Sequence, residues 1–282
     1  MHRRLIGEFA GTFLLVLFGV GAVHSAVLTG APAGIWQVAV VWAIGIAIAI
    51  YCTASLSGAH LNPAVTIALA TFRRHTWNDV VPYILAQTIG AFVAAFVLNF
   101  LFAGFIQARH TELGIQASDP GGVLTAMCYG EYFPNPGLFN KSDSEEFDAD
   151  RFEAFRATVD VQQAFVAELL GTAILVLVIF SLTDPRNRLA PQAPLNPVLI
   201  GLTVAALIVV LAPLTQACFN PARDFGPRLF AWLAGWGENA MSFQNDWNWL
   251  TVYIMAPVTG GLIGGALHTL FLRPTQPAPK KS

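Results

Sequence analysis

The chain has 282 residues, of which 55% are hydrophobic and 11% are charged, and its formal net charge is −2 at neutral pH. A soluble domain has roughly a quarter of its residues charged, so this composition indicates a protein of the lipid bilayer. The sequence has no basic patch that would bind nucleic acid, no residues with metal-ligand spacing and no nucleophile triad. It therefore argues against an enzyme, and it predicts neither a cofactor nor a metal ion.

Six apolar stretches are long enough to cross the membrane, for which a helix needs roughly 20 residues. In chain order they are approximately 5–25, 36–56, 79–105, 161–183, 195–215 and 248–272. We expect the first stretch to be a span rather than a signal peptide, because Glu8 interrupts it and a similar segment recurs later. The sequence thus predicts an all-α membrane protein with six transmembrane helices.

Two further segments, 62–72 and 220–232, are too short to cross the membrane. Each starts with the tripeptide Asn-Pro-Ala, which is formed by Asn62, Pro63 and Ala64 and again by Asn220, Pro221 and Ala222. Asn is a favoured helix N-cap and Pro a favoured first helical residue, so each tripeptide predicts the start of a helix. A helix of this length covers about 16–20 Å, roughly half of the hydrocarbon core. We expect two re-entrant half-helices.

The chain contains an internal duplication. Glu8 and Glu168 lie in similar segments 160 residues apart, and the two Asn-Pro-Ala tripeptides are 158 residues apart. The duplication predicts a first repeat at 5–105 and a second at 161–272, within one membrane domain over 1–282. Because each repeat has three spans, the second enters the membrane from the opposite side, and the half-helices meet N-terminus to N-terminus.

The basic residues predict the orientation of the chain. One side of the six-span arrangement holds Arg3, Arg4, Arg73, Arg74, Arg186, Arg188, Arg273, Lys280 and Lys281. By the positive-inside rule this side is cytoplasmic, with both termini and the tail 273–282. The opposite side holds the loop 106–160, with an acidic insertion around 140–160. The favoured interpretation of the insertion is a solvated loop. The alternatives are a lid, a docking site and a negative surface that attracts cations to a pore mouth.

The two re-entrant segments predict a pore. Non-helical backbone at membrane depth must be buried in protein or reached by water, so the residues before Asn62 and Asn220 are expected to line a cavity. Their carbonyl groups would accept hydrogen bonds, and the two Asn amides would donate them. Each half-helix N-terminus carries about half a positive charge, which disfavours cations and protons. A neutral, hydrogen-bonding solute fits such a pore.

Three polar residues near the pore have two interpretations each. Glu8 and Glu168 could form a proton relay, as in a coupled transporter, or they could accept hydrogen bonds from the backbone of the half-helix loops. Their symmetry favours the second role. His60, two residues before Asn62, could be a pH gate or a ring bound to the loop, and we favour the bound ring.

The sequence resembles the major intrinsic protein family over nearly all of residues 5–272. The motifs that carry the resemblance are the doubled Asn-Pro-Ala, SGAHLNPAVT and NPARDFGPRLFAWLAGWG. It implies the aquaporin-like fold and a homotetramer with one pore per subunit. The glycerol-facilitator branch, the aquaglyceroporins, is more similar than the water-selective aquaporins. Arg223, Asp224 and Arg228 match that branch after the second Asn-Pro-Ala, and Pro257 matches its proline in the last span.

The resemblance also implies a selectivity filter formed by Trp42, Ile208, Ala217 and Arg223. Arg223 would donate hydrogen bonds to solute hydroxyls, and Trp42 would pack against the carbon backbone of glycerol. Two positions depart from the bacterial pattern, because Ala217 replaces an aromatic residue and Ile208 replaces a glycine. The side chain at Ala217 is smaller than in the bacterial pattern and the one at Ile208 is larger, so the sequence does not determine the net width of the filter. The set also resembles the plant nodulin-type members, which pass glycerol and some uncharged metalloid hydroxides.

Together these features predict a passive channel for glycerol and other small uncharged solutes, with some water permeation and without passage of ions or protons. Its partners would be these solutes, water, the lipid bilayer and other copies of the chain. We expect it in a plasma membrane, the bacterial inner membrane. The alternatives are a water-selective aquaporin, a metalloid or urea channel, a proton-coupled transporter and a junctional protein of the same fold, the last two being favoured least.

Overall fold

The computed structural model describes residues 1–31, 34–73, 75–139, 147–191, 193–241 and 247–275. These residues form helices and connections, with no strand among them. Six helical segments of the described chain are long and apolar enough to cross a membrane: His2–Thr29, Ile35–Ser57, Trp77–Leu113, Val161–Thr183, Ala193–Thr215 and Asn248–Leu272. The prediction of an all-α membrane protein with six spans is confirmed.

The α-helices are numbered in chain order. They are α1 (His2–Thr29), α2 (Ile35–Ser57), α3 (Pro63–Phe72), α4 (Trp77–Leu113), α5 (Val123–Ala126), α6 (Ala149–Arg156), α7 (Val161–Thr183), α8 (Asn196–Thr215), α9 (Pro221–Ala231), α10 (Glu238–Met241), α11 (Asn248–Leu250) and α12 (Ala256–Leu267). Short 3-10 turns lie at Pro120–Gly122, Pro136–Leu138 and Ala193–Leu195, and π-helical turns lie at Trp232–Trp236, Thr251–Met255 and His268–Leu272. The last span therefore runs through α11, α12 and two π-helical turns.

The third span is longer than predicted. The sequence predicts 79–105, whereas α4 continues to Leu113 and ends where Gly114 adopts a left-handed conformation with φ 63°. The backbone N–H of Gly114 bonds to the carbonyls of His110 and Thr111. The last turns of α4 contain polar residues, which a helix can carry once it has left the hydrocarbon region. A prediction from hydropathy alone therefore places the end of the helix too early.

The segment 106–160 is not the simple loop that the sequence predicts. It contains α5 and α6, and residues 121–132 are buried. On α6, Phe152 is 2% exposed and packs edge-to-face on Phe139 with ring centroids 4.9 Å apart. The acidic side chains of the described part, Asp148, Asp150, Glu153 and Asp160, are exposed. A solvated insertion therefore stays the prediction for the acidic residues, while the aromatic residues beside them form a small core. Residues 140–146 of the acidic insertion, and 276–282 of the tail, lie outside the described residues.

The two groups of three spans pack in the same way. α1 contacts α2 and α4, while α7 contacts α8 and α12. The half-helices cross between the groups, since α3 packs on α12 and α9 packs on α4. Two glycines make the closest contacts possible: a Cβ at Gly90 would lie 2.3 Å from the Phe9 carbonyl oxygen, and one at Gly264 would lie 2.1 Å from that of Ala173. Small residues of this kind allow helix backbones to approach closely in membranes.

A buried carboxylate joins three elements at one end of the bundle. Asp184, directly after α7, lies 3.6 Å from Arg73, 3.1 Å from Arg186 and 3.5 Å from Arg273. Burial raises the pKa of Asp184, but the hydrogen bonds from Arg186 and the charges of Arg73 and Arg186 outweigh it and lower the pKa. The ionised carboxylate thus holds the end of α3 and the end of the last span together.

Candidate functional site: a pore between two half-helices

Each half-helix starts as the local sequence dictates. α3 begins at Pro63, and the side-chain oxygen of Asn62 accepts a hydrogen bond from Ala64 N at 2.8 Å. α9 begins at Pro221, and the side-chain oxygen of Asn220 accepts from Ala222 N at 3.1 Å and Arg223 N at 3.3 Å. Because both Asn oxygens accept from the first turn, both side-chain amides point away from their own helices.

The two half-helices meet at their N-termini through these amides. Asn62 Nδ2 donates to the carbonyl of Phe219 at 2.8 Å, and Asn220 Nδ2 donates to the carbonyl of Leu61 at 2.8 Å. An Asn amide has two N–H groups, so each Asn keeps one donor. The carbonyls of Leu61 and Phe219 thus each accept one hydrogen bond from the opposite half-helix, and each keeps a second lone pair that can accept from a solute.

The segments before the half-helices have a strained backbone. Ala59 and Leu61 have φ values of 49° and 52°, and Ala217 and Phe219 have φ values of 65° and 53°. Residues other than glycine rarely adopt this left-handed region, and each such residue costs about 1–3 kcal/mol. The surrounding structure must therefore hold both segments in place.

Two buried carboxylates hold the strained segments. Glu8 accepts from His60 N at 2.9 Å and from Leu61 N at 2.8 Å. Glu168 accepts from Cys218 N at 3.0 Å and from Phe219 N at 2.8 Å. Both side chains are fully buried. The same pair of backbone contacts therefore occurs in both halves of the chain.

The two carboxylates also accept hydrogen bonds from side chains, and these side chains differ between the two halves. Gln87 donates to Glu8 at 2.7 Å and to Thr66 at 3.0 Å, while Thr215 donates to Glu168 at 2.6 Å. The ring of His60 lies 3.3 Å from Thr66 Oγ1 and packs edge-to-face on His75. Its ring thus binds a side chain of α3 rather than the loop backbone.

Two cavities adjoin near the meeting point: the one that Asn62 and Asn220 line is called the inner cavity, and the one that Glu131 lines is called the outer cavity. The outer cavity has a volume of about 460 Å³, and the inner cavity has a volume of about 440 Å³. Trp42, Ile208 and Arg223 line both cavities, so the boundary between the cavities lies at these residues. Ala217 lines the inner cavity only, next to Asn220.

At this boundary Arg223 is fixed on several sides. Its guanidinium carbon lies 4.8 Å from the centre of the Trp42 ring, and its Nη1 lies 3.4 Å from the carbonyl oxygen of Tyr129. Its Nη2 forms an ion pair with Glu131, whose side chain is fully buried. A guanidinium at this depth normally faces water or a partner, and here it has both an ion pair and a cavity wall.

Glu131 is a site residue that sequence reasoning missed. It belongs to the loop 106–160, before the acidic insertion, in a part for which the sequence predicted no site residue, yet it lines the outer cavity beside Arg223. Burial raises the pKa of Glu131 to about 8, although the charge of Arg223 opposes this shift. A signal was present in the apolar run GGVLTAMCYG just before Glu131, because a solvated loop rarely has ten residues with no charge.

The residues that match the glycerol branch lie behind the pore. Asp224 binds Arg228 at 2.9 Å and accepts from Glu131 N at 2.7 Å. Arg228 also donates to the carbonyls of Glu131 and Ala240. Asp224 and Arg228 thus hold the segment that carries Glu131, and they line neither large cavity. Pro257 is buried at the start of α12 and lines neither cavity.

Together, six spans, two half-helices that meet at their N-termini and two cavities that share Trp42, Ile208 and Arg223 define a membrane channel whose pore lies within a single chain. Comparison with known proteins identifies the family. The sequence profile described as "Major intrinsic protein" matches residues 1–268. The chain belongs to the major intrinsic protein family.

Individual relatives narrow the comparison. The chain is 40% identical over 268 residues to the glycerol uptake facilitator protein of Haemophilus influenzae, covering 95% of this chain and 93% of the relative. It is also 40% identical over 269 residues to the propanediol uptake facilitator PduF of Salmonella typhimurium, covering 94% and 92%. Among solved structures, the aquaglyceroporin from Plasmodium falciparum superposes with a TM-score of 0.79 at 26% identity, covering 97% of each chain.

Proposed function

We propose that this protein is a passive channel for glycerol and other small uncharged solutes. The observation that carries the proposal is the pair of large cavities that adjoin at Trp42, Ile208 and Arg223, close to the point where the two half-helices meet. The facilitator of Haemophilus influenzae, named for glycerol uptake, supports glycerol as the solute. A path through one chain needs no alternating conformations, which favours a channel over a coupled transporter.

The centre of the pore would exclude ions and protons. The N-termini of α3 and α9 each present about half a positive charge to the same point. The second N–H of Asn62 and of Asn220 would donate to the oxygen of a passing hydroxyl or water. Such an arrangement orients a neutral solute and repels cations, which is how aquaporin-type pores block protons.

The boundary at Trp42 and Arg223 would select the solute. One wall is the aromatic face of Trp42, which suits the carbon backbone of glycerol, and another is Arg223, which donates to hydroxyls. Ile208 adds an apolar wall, and Ala217 leaves space beside Asn220. The filter therefore suits a linear molecule with hydroxyls along one edge and carbon along the other.

A vicinal diol is a second candidate solute. The inner cavity has a strongly aliphatic wall that includes Ile46, Ile200 and Val204, and Ile208 extends this wall to the filter. A methyl group in place of one hydroxyl would lose no hydrogen bond against such a wall. The propanediol uptake facilitator of Salmonella typhimurium supports this candidate.

Glu8 and Glu168 would act as anchors of the pore loops rather than as a proton relay. Their oxygens accept hydrogen bonds from His60, Leu61, Cys218 and Phe219. A carboxylate that satisfies two backbone N–H groups is committed to the loop, and neither Glu lines a large cavity. His60 lines the inner cavity, and its contact with Thr66 makes it a support of α3.

The assembly and orientation are inferred from the family and the charges. The exposed apolar side chains of α2 and α4, among them Ile44, Ile48, Leu85 and Phe100, suit lipid or other copies of the chain in a homotetramer. The end of the bundle with Arg4, Arg73 and Arg186 would face the cytoplasm. Bacterial relatives favour the bacterial inner membrane. The duplicated segments 5–105 and 161–272 would be the inverted repeats.

The proposal can be tested with purified protein in proteoliposomes. Stopped-flow light scattering would measure re-swelling in glycerol, with empty liposomes as the control. We expect fast re-swelling with a low activation energy that does not depend on a proton gradient. Glycerol entry no faster than in empty liposomes would overturn the proposal, and entry that requires a proton gradient would favour the coupled transporter.

A further inference from the structure

A small pocket shares Glu131 with the outer cavity. Its volume is about 30 Å³, and it is lined by residues of the segment after α5, of α9 and of the last span, together with Arg156 of α6 and Met241 of α10. These residues include Tyr132, Arg228, Trp249 and Tyr253. Of all residues that line the small pocket, only Glu131 also lines the outer cavity. Glu131 is therefore the wall between this pocket and the filter.

Two buried polar atoms beside this pocket have no protein partner. Trp249 Nε1 and Glu131 Oε2 make no hydrogen bond to the described part of the chain. The Trp249 ring is held in place, because it stacks on Phe225 with centroids 5.6 Å apart and planes 13° apart. A buried N–H without a partner is rare, and leaving it so costs the free energy of its lost hydration.

Arg228, one of the two arginines that line the pocket, is committed to other partners. Arg228 donates twice to Asp224, at 2.9 Å each, and also to the carbonyls of Glu131 and Ala240. Its guanidinium carbon lies 5.7 Å from the Trp249 ring centre and thus faces the ring rather than the indole N–H. The donor Trp249 Nε1 and the acceptor Glu131 Oε2 therefore stay without a hydrogen bond in the described part of the chain, whereas Glu131 Oε1 has the ion pair with Arg223.

A pocket of this volume can hold one or two water molecules. A water molecule accepts one hydrogen bond through its oxygen and donates another, which is the combination that Trp249 Nε1 and Glu131 Oε2 require. We propose that a water molecule in this pocket joins Trp249 to Glu131, so that Trp249 is a positioning residue of the filter. The inference rests on the proposed function, since its effect on transport is read through the filter.

The connection runs from Trp249 through water to Glu131 and then to Arg223. Arg223 fixes one carboxyl oxygen of Glu131, and the water fixes the other. Without the water, Glu131 can rotate and Arg223 loses part of its fixed position beside Trp42. Trp249 itself lines neither large cavity. Its removal should therefore change which solutes pass, while the pore stays open.

The first test is Trp249→Phe, which removes the N–H and keeps an aromatic ring. The matched control is Trp247→Phe, because Trp247 is exposed and its ring lies 6.2 Å from that of Trp249. We expect the ratio of glycerol to water permeability to change about fivefold in Trp249→Phe, which corresponds to one hydrogen bond. The control should keep the wild-type ratio. An unchanged ratio in Trp249→Phe would overturn the inference.

A double-mutant cycle shows whether Trp249 acts through Glu131. In a Glu131→Gln background, Trp249→Phe should add less to the change in the ratio than it does in the wild type, because the fixed carboxylate is already gone. Fully additive effects would mean that Trp249 influences the pore by another route, and they would overturn the inference.

The water can also be observed directly, without any transport assay. A high-resolution experimental structure should show a solvent peak about 3 Å from both Trp249 Nε1 and a Glu131 carboxyl oxygen. The peak should be absent from Trp249→Phe. A pocket without such a peak in the wild type would overturn the inference even if glycerol passes. Conversely, a clear peak in a protein that passes no glycerol would leave the water in place and overturn the proposed function.

Discussion

The two half-helices are held alike, but they differ in the residues after the Asn-Pro-Ala tripeptide. Each is preceded by a strained loop whose two N–H groups bind one buried carboxylate, Glu8 or Glu168. At the shift of 158 residues that aligns Asn62 with Asn220, Val65, Thr66 and Ala70 correspond to Arg223, Asp224 and Arg228. The first half-helix is thus apolar where the second is charged.

This difference indicates that the residues that support the pore loops are distinct from the charged residue that selects the solute. The contacts that hold the pore loops occur twice, once in each half, whereas the filter cation Arg223 comes only from the second half-helix and pairs with Glu131 of the connecting segment. A duplicated three-helix unit can supply a symmetric support, and substitutions in one copy can then add chemistry without disturbing the other. Four predictions test this division, in order of expected effect.

The largest effect should come from the carboxylates that hold the loops. Glu8→Gln and Glu168→Gln should each lower the free energy of unfolding by about 4 kcal/mol, because two buried N–H groups lose a charged acceptor at about 2 kcal/mol each. Thermal unfolding in detergent measures this, and Glu153→Gln on exposed α6 is the control. If only one of the two variants is destabilised, the supports are not equivalent.

The next effect compares corresponding residues of the two half-helices. Asp224→Asn should lower stability by about 3 kcal/mol, because it leaves the buried Arg228 without its ion pair. Thr66→Val, at the corresponding position, should cost about 1 kcal/mol for its hydrogen bonds to Asn62 and Gln87. The same unfolding assay measures both. Equal losses would contradict the view that charge is concentrated in the second half.

Trp42 should control the size of the solute. The ring packs on Gly19, where a Cβ would lie 2.3 Å from a ring atom. Trp42→Ala should therefore open the filter and raise the permeability to five-carbon polyols, relative to glycerol, about tenfold, which is equivalent to about 1.4 kcal/mol. Stopped-flow re-swelling measures the ratio, and the exposed Trp36→Ala is the control. An unchanged ratio would exclude Trp42 from the filter.

The smallest effect should be a pH dependence that comes from Glu131. Burial raises its pKa to about 8, against the charge of Arg223, and Asp224, Glu168 and Arg228 also act on it. When the pH falls through this value, Glu131 gains a proton, loses its negative charge and weakens its hold on Arg223.

We expect the ratio of glycerol to water permeability to change about twofold between pH 9 and pH 7, which corresponds to about 0.4 kcal/mol. Glu131→Gln should have no such dependence, because it cannot ionise. A pH profile that is identical in wild type and Glu131→Gln would assign the dependence to another group.

Much of the fold could be predicted from the sequence, because hydropathy and N-cap chemistry act locally. The six spans needed only long apolar stretches, and the half-helix starts at Pro63 and Pro221 needed only the Asn-Pro signal. The end of α4 at Leu113 was missed because a helix that leaves the membrane can become polar without ending. Hydropathy detects the membrane boundary rather than the helix terminus.

The site could be predicted only in part. Trp42, Ile208 and Arg223 do lie together at the boundary of the two cavities, and their roles in selection stay predictions. The apolar run before Glu131 indicates burial, but its place beside Arg223 could not be predicted, because that place depends on contacts with Asp224 and Arg223 more than 90 residues away in the sequence. The use of the Leu61 and Phe219 carbonyls by the opposite Asn amides is likewise a contact between distant segments.

The most direct test of the account is a comparison of two corresponding residues, Arg223 and Val65. The ratio of glycerol to five-carbon polyol permeability would be measured by stopped-flow light scattering on proteoliposomes that contain Arg223→Ala or Val65→Ala. If only the second of the two half-helices contributes to the filter, we expect about a tenfold change of the ratio for Arg223→Ala and less than about a twofold change for Val65→Ala. Equal changes in the two variants, or none in Arg223→Ala, would contradict it.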